Sequence, residues 1–342
     1  MTSPIKAYST CQLQTLVKEA GLPSFRAKQI IEWLYAKGVS SYEDMTNMPK
    51  AMREQFAETY PLYTPVVADK QVSVDGSRKY LLRFYDDIVV ETVALPANDG
   101  RLTVCCSSQA GCAMGCSFCA TGRNGLSRSL AVGEIIDQIL MVQRDFGERV
   151  TNVVVMGQGE PFANYDNVLA ALRIMNDPKL LNIGARHITV STCGIIEGIG
   201  KFAEEPEQFT LAISLHAARQ DVRDEIMPSM KSQRLGALRQ ALEHYSSATG
   251  RRFSFEYALM KGVNDSEEDL QALITYCRRL LCHVNLIPLN EIDDSPIHPV
   301  SNNTMHYWRD ELENAGIPAS IRTSRGADIA GACGQLANKH TV

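Results

Sequence analysis

From Leu102 onward the chain alternates short apolar runs with longer amphipathic stretches, and that alternation leaves few architectures open. Residues 102–106, 152–156, 187–191, 210–214, 253–257 and 283–287 read as strands. The stretches between them, 132–145 and 165–175 among them, carry apolar residues at helical spacing. Strands separated by helices pair in parallel, because a crossover returns the chain to the same end of the sheet. The expected fold is therefore α/β, with about six strand-helix units forming part of a (β/α)6 barrel. Polar and Gly-rich residues follow the strands: Gly157-Gln158-Gly159-Glu160-Pro161, Thr192-Cys193-Gly194, Leu215-His216 and Pro288-Leu289-Asn290. Parallel α/β folds place their sites at those C-terminal ends.

Between the first two of these strands lies Cys112-Ala-Met-Gly-Cys116-Ser-Phe-Cys119. The spacing suits three thiolates around one 4Fe-4S cube. Clusters that only carry electrons usually take four cysteines, so three leave one iron open to an exogenous ligand. S-adenosylmethionine (SAM) can chelate that iron through its amino and carboxylate groups. A zinc ribbon would need a second Cys-x-x-Cys knuckle, which the chain lacks. Buried structural thiols are a poor account of three cysteines within eight residues of a loop that also holds Gly111, Gly115, Gly122 and Gly125.

Composition excludes several classes. Of 342 residues, 45% are hydrophobic and 21% charged, the balance of a globular protein with one large and one small domain. No apolar run approaches the roughly 18 residues of a membrane span, and the N-terminal stretch has no signal core, so a cytoplasmic chain without membrane contact is expected. In that reducing compartment ten cysteines are ligands, catalysts or free thiols. A net charge of -5 gives no global signal for nucleic acid, so RNA binding would rest on local basic patches.

Residues 9–59 are helical in pattern throughout, with Lys28, Lys50 and Arg53 interleaved with Trp33, Tyr35 and Tyr42, a mix suited to phosphates and bases and equally to a solvated helix surface. Residues 66–95 alternate, with a hairpin around Asp75-Gly76. The expected division is a helical RNA-binding-like domain over 1–62, a hairpin connector over 63–100 and a catalytic core over 101–342.

Together these motifs resemble the RlmN family of radical SAM RNA methyltransferases, over nearly the full length. The cluster loop continues as Cys119-Ala-Thr-Gly122, a GEP motif stands at Gly159, Glu160 and Pro161, and Gly331-Ala-Cys333-Gly-Gln-Leu336 closes the chain. The resemblance implies that Cys112, Cys116 and Cys119 hold the 4Fe-4S cluster. It implies SAM contacts for Phe118, Gly159, Glu160, Ser191, Ser214, Leu215, His216 and Asn290. It makes Cys333 a methylated relay, Cys105 its resolving partner and Glu91 the proton acceptor. Departures from the pattern are Gln158 for Met, Cys193 for Ser, Ser129 for Asn, and a tail of nine residues after Cys333 that is less basic than in some relatives. Cys11, Cys106, Cys193, Cys277 and Cys282 are read as structural.

The implied reaction is methylation of adenine carbon 2 in the peptidyl-transferase loop of 23S rRNA and of the adenosine 3' of the anticodon in tRNA. That carbon is electron-poor and cannot attack the methyl group of SAM as a nucleophile, so radical chemistry is required. A flavodoxin or ferredoxin type electron donor and a monomeric enzyme are expected. Three other functions compete: a Cfr-type carbon-8 methyltransferase conferring antibiotic resistance, a glycyl-radical-enzyme activase, and a non-catalytic iron-sulfur RNA-binding redox sensor. Pro161 and the helical N-terminal region favour carbon 2 over carbon 8. An activase has no use for Cys105 and Cys333, and intact SAM motifs argue against a sensor.

Overall fold

The computed structural model describes residues 3–292 and 295–338. Its main element is a ten-stranded sheet: β1 (Val66–Val72), β2 (Arg78–Arg83), β3 (Val89–Pro96), β4 (Leu102–Cys105), β7 (Asn152–Val155), β8 (Ile188–Thr192), β9 (Thr210–Ser214), β10 (Phe253–Leu259), β11 (Cys282–Pro288) and β12 (Ala319–Ile321), in that spatial order. A separate hairpin pairs β5 (Gln109–Gly111) with β6 (Leu126–Ser129). From β4 to β12 all neighbours are parallel. The strands at the two ends, β1 and β12, do not pair, so the sheet curves without closing.

The six anticipated strands are all present. β12, only three residues long, was not anticipated. Residues 66–95 extend the sheet with three antiparallel strands, the last of which sets Val93 opposite Cys105 and Ala94 opposite Val104.

Helices follow the parallel strands: α4 (Val132–Phe146), α5 (Tyr165–Asn176), α6 (Ile196–Glu204), α7 (Gln220–Ile226), α8 (Leu235–Thr249), α9 (Glu267–Cys277) and α10 (Asn302–Asn314). In α4 the residues Val132, Ile135, Ile136, Ile139 and Val142 recur at helical spacing and are buried, and Gly147 ends the helix in the left-handed region.

At the N-terminus α1 (Thr10–Glu19), α2 (Phe25–Ile31) and α3 (Lys50–Thr59) share a continuous apolar core with the sheet. The Lys6 ammonium pairs with Asp137 of α4 at 2.5 Å in a buried contact. The backbones can meet there because residue 133 is Gly: a Cβ would lie 2.3 Å from Lys6 Cβ. Among the described residues no helix is long and apolar enough to cross a membrane.

Candidate active site

The site is assembled at the C-terminal ends of the parallel strands. After β7 the chain turns through Gly157, Gln158 and Gly159, and at Gly159 (φ +99°) a Cβ would come within 2.5 Å of Gln109 Cβ. This packing buries Glu160, whose Oε1 accepts from Phe162 N–H (2.9 Å) and Oε2 from Cys193 N–H (2.7 Å). Burial pushes the carboxyl upward and those bonds oppose it. Ser191, next to the last residue of β8, and Ser214, the last of β9, have their hydroxyls 3.3 Å apart.

Beyond β9, Leu215 is buried and His216 sits at φ +55°. A non-Gly residue holds such a φ only when its surroundings over-determine it. Here Nδ1 accepts from Ala258 N–H (3.0 Å), and the His216 carbonyl accepts from the Asn264 amide (2.6 Å). Burial depresses the imidazole to about 3, so the ring is neutral, with its proton on Nε2. Its edge meets the Phe118 ring at a centroid distance of 4.6 Å.

That contact joins the strand ends to the cysteine loop. Cys112, Cys116 and Cys119 are all half-buried in the loop after β5. The loop is wound tightly: a Cβ on Gly122 would touch Gly115 Cα at 3.1 Å, and one on Gly111 (φ +77°) would sit 2.1 Å from the Gly125 carbonyl oxygen. Burial pushes Cys112 up to about 11 and Cys116 further, and the neighbouring thiols add to both shifts. No three His, Cys, Asp or Glu side chains among the described residues are arranged to hold a single metal ion. A 4Fe-4S cube takes its cysteines on three different irons, so it asks for no such convergence. The soft donors, their mutual proximity and the close-wound glycine loop fit the cube.

The C-terminal segment lies over this loop. Ala120 N–H donates to the Gly334 carbonyl (2.7 Å) and the Thr121 hydroxyl to the Leu336 carbonyl (2.7 Å). Cys333 is exposed there, and the amide of Asn290 donates to its carbonyl (3.1 Å). Cys105 ends β4. Burial raises its thiol well above the ordinary value, and the nearby Cys333 raises it further. Side chains alternate along a strand: Leu102, Val104 and Cys106 point into the main core, leaving Cys105 on the site face.

Glu91, on β3, is buried in a clamp. Oε1 pairs with Lys79 Nζ (3.0 Å), and Oε2 accepts from the backbone N–H groups of Ala337 (2.6 Å) and Asn338 (3.0 Å). Lys79 also donates to the Ala330 carbonyl (3.3 Å). Gln158 donates to Asn338 Oδ1 (2.9 Å) and accepts from Glu91 N–H (3.3 Å). The carboxylate thus fastens the segment that carries Cys333.

The expected residues therefore come from β3, the cysteine loop, the ends of the parallel strands and the C-terminal segment. Lys79, which pairs with Glu91, lies in no recognisable motif and sequence reasoning missed it, while Gln158 was read only as a departure within the GEP loop and not as a partner of Glu91 and Asn338. Among the cysteines read as structural, Cys106, Cys193, Cys277 and Cys282 are buried and Cys11 is exposed. Apart from this site, the helical N-terminal region holds a cleft of about 630 Å³ lined by Tyr42, Glu43, Lys50, Arg53 and Glu54. Lys28 is exposed, Lys50 pairs with Glu54 (3.6 Å), and Arg53 donates to the Glu43 carbonyl (2.6 Å).

Comparison with known proteins agrees with this fold. Residues 106–274 match the Radical SAM superfamily, and residues 5–61 match the ribosomal RNA large subunit methyltransferase N-terminal domain. A probable dual-specificity RNA methyltransferase RlmN from Clostridium novyi is 44% identical over 313 residues, covering 91% of each chain. One of the same description from Bacillus cytotoxicus is 44% identical over 96% of this chain and 91% of its own. The crystal structure of a radical SAM methyltransferase from Sphaerobacter thermophilus superposes with a TM-score of 0.91 at 41% identity, covering 98% of this chain and 99% of that one. Membership of the radical SAM superfamily implies a 4Fe-4S cluster and SAM as cofactors. The chain belongs to the RlmN family of radical SAM RNA methyltransferases.

Proposed function

We propose that this enzyme methylates carbon 2 of adenine in RNA, with Cys333 carrying the methyl group and Cys105 releasing the product. The observation that carries the reading is that Cys333, far from Cys105 in sequence, lies near enough to act on its thiol electrostatically, in a segment hydrogen-bonded to the cysteine loop at Ala120 and Thr121. A cluster bound by Cys112, Cys116 and Cys119 would supply the single electron that splits SAM.

The remaining work falls to the chain's own residues. Phe118, Gly159, Glu160, Ser191, Ser214, Leu215, His216 and Asn290 form the SAM-binding wall. Exposed Cys333 takes a methyl group from one SAM by displacement. Once a fragment of a second SAM had removed a hydrogen atom from that methyl group, the carbon on Cys333 would add to the adenine ring and tether the RNA. Glu91 accepts the ring proton, which requires it to release the N–H groups of Ala337 and Asn338 that occupy Oε2. With the adduct's unpaired electron returned to the cluster that Cys112, Cys116 and Cys119 would hold, Cys105 would attack the Cys333 sulfur and break its bond to carbon; the disulfide forms, and the released carbon takes up a proton to become the methyl group.

The substrates are the peptidyl-transferase loop of 23S rRNA and the adenosine 3' of the anticodon in tRNA, gripped in part by Lys28, Lys50 and Arg53. A flavodoxin or ferredoxin type protein donates the electron, and the enzyme works as a cytoplasmic monomer. Nucleoside mass analysis of rRNA and tRNA incubated with reconstituted, reduced protein tests the reading. 2-Methyladenosine in both RNAs is expected. 8-Methyladenosine would make the enzyme Cfr-type, and no methylated adenosine with intact SAM cleavage would overturn the RNA assignment.

A further inference from the structure

Arg223 lies on α7 with none of its surface exposed. Its Nη2 donates to the Cys193 carbonyl (2.6 Å) and its Nε to the Leu215 carbonyl (3.3 Å), while Nη1 has no hydrogen-bond partner. It forms no ion pair with an acidic side chain among the described residues; the adjacent Asp224 pairs with Arg234 instead (3.2 Å). A guanidinium stays charged in a protein, and two carbonyl dipoles do not repay the desolvation of a full charge. This cation is therefore waiting for an anion.

The last residue of α7, Ile226, accepts from Ser117 N–H at 3.0 Å, and Ser117 lies between Cys116 and Cys119. The helix that carries Arg223 is thus fastened to the cysteine loop. Cys116 and Arg223 also act electrostatically on one another.

We propose that Arg223 is the charge partner of the cluster held by Cys112, Cys116 and Cys119, and that it eases entry of the reducing electron. The proposal rests on the reading that those cysteines hold a cluster. Three thiolates outweigh the positive charge of the cluster core, so the loaded site is an anion, and reduction adds one more negative charge. A fixed cation next to it stabilises the reduced state over the oxidised one, since net charge and surroundings set cluster potentials. One electron arrives from a flavodoxin- or ferredoxin-class donor. Arg223 itself makes and breaks no covalent bond and moves no proton.

The test is an EPR-monitored redox titration, without SAM, of anaerobically reconstituted wild type, Arg223→Gln and Arg223→Lys, with iron and sulfide content measured on each. Gln retains a donor for the Cys193 carbonyl but no charge, and Lys retains the charge. Arg223→Gln should hold its cluster but be about tenfold harder to reduce, a fall of roughly 59 mV for one electron, while Arg223→Lys stays near wild type. A Gln midpoint equal to wild type overturns the proposal, as does a Lys midpoint as low as that of Gln. If Arg223→Gln loses its cluster, Arg223→Lys decides: it breaks the forked contact to the two carbonyls, so a wild-type midpoint supports a charge effect and a tenfold shift contradicts it. A wild type that binds no cluster at all would sink the underlying cysteine assignment instead.

Discussion

The side-chain amide of Asn290 donates to the backbone carbonyl of Cys333 across 3.1 Å. One residue of the proposed SAM wall thus also holds the backbone of the residue whose thiol receives the methyl group.

Asn290→Ala should therefore impair loading of Cys333 while leaving iron content unchanged. Loss of one hydrogen bond of this kind costs about 1 kcal/mol, or several-fold in rate. Intact-protein mass spectrometry after incubation with SAM measures the methylated fraction, and equal loading rates in variant and wild type would contradict the role.

The ion pair between Lys79 and Glu91 is buried on both sides. Removing one partner strands a buried charge, at a cost of roughly 3–5 kcal/mol. Lys79→Met should show that loss in urea denaturation, and adding Glu91→Gln should recover most of it. Additive losses in the double variant would mean that the two side chains do not act as a pair.

His216 sets a pH dependence. In the folded chain its imidazole titrates near 3 because of burial, against about 6.5 when unfolded. Between these values the unfolded state holds one more proton, so its contribution is complete above about pH 6.5 and is lost as pH falls. The slope approaches about 1.4 kcal/mol per pH unit. Asn tolerates the left-handed backbone of this position. Urea midpoints of the apo-protein between pH 5 and 7 should therefore fall less steeply for His216→Asn than for wild type, and parallel slopes would remove His216 as the cause.

Much of this site is legible in the sequence because local pattern carries it. The apolar runs mark the strands, and the residues just past them, Glu160, Ser214 and His216, mark the site, since a parallel sheet presents that end. Strand alternation even separates Cys105 from Cys106. Long-range placement is not legible. Nothing near Lys79 or Gln158 announces contacts with Glu91 and Asn338, and Arg223 looks like any helical arginine until its helix docks on the cysteine loop. The strands of 66–95 were readable as a hairpin, but their addition to the main sheet depends on the pairing of β3 with β4.

Gly111 is required by space as well as by φ, because a Cβ there would overlap the Gly125 carbonyl oxygen. Gly111→Ala should distort the loop and lower iron content after reconstitution severalfold, with the circular dichroism of the sheet and helices retained. Full iron content in that variant would show that the loop tolerates another winding.

The account stands or falls on the separate roles of the two thiols. RNA incubated with reduced, reconstituted Cys105→Ala and SAM should yield a protein–RNA crosslink through Cys333, seen on a denaturing gel as a nuclease-sensitive shift. Cys333→Ala should give neither crosslink nor methylated RNA, and Cys106→Ala, altered on the core face, should turn over normally. A crosslink in Cys106→Ala and not in Cys105→Ala would reverse the assignment, and methylated RNA from Cys333→Ala would contradict the relay altogether.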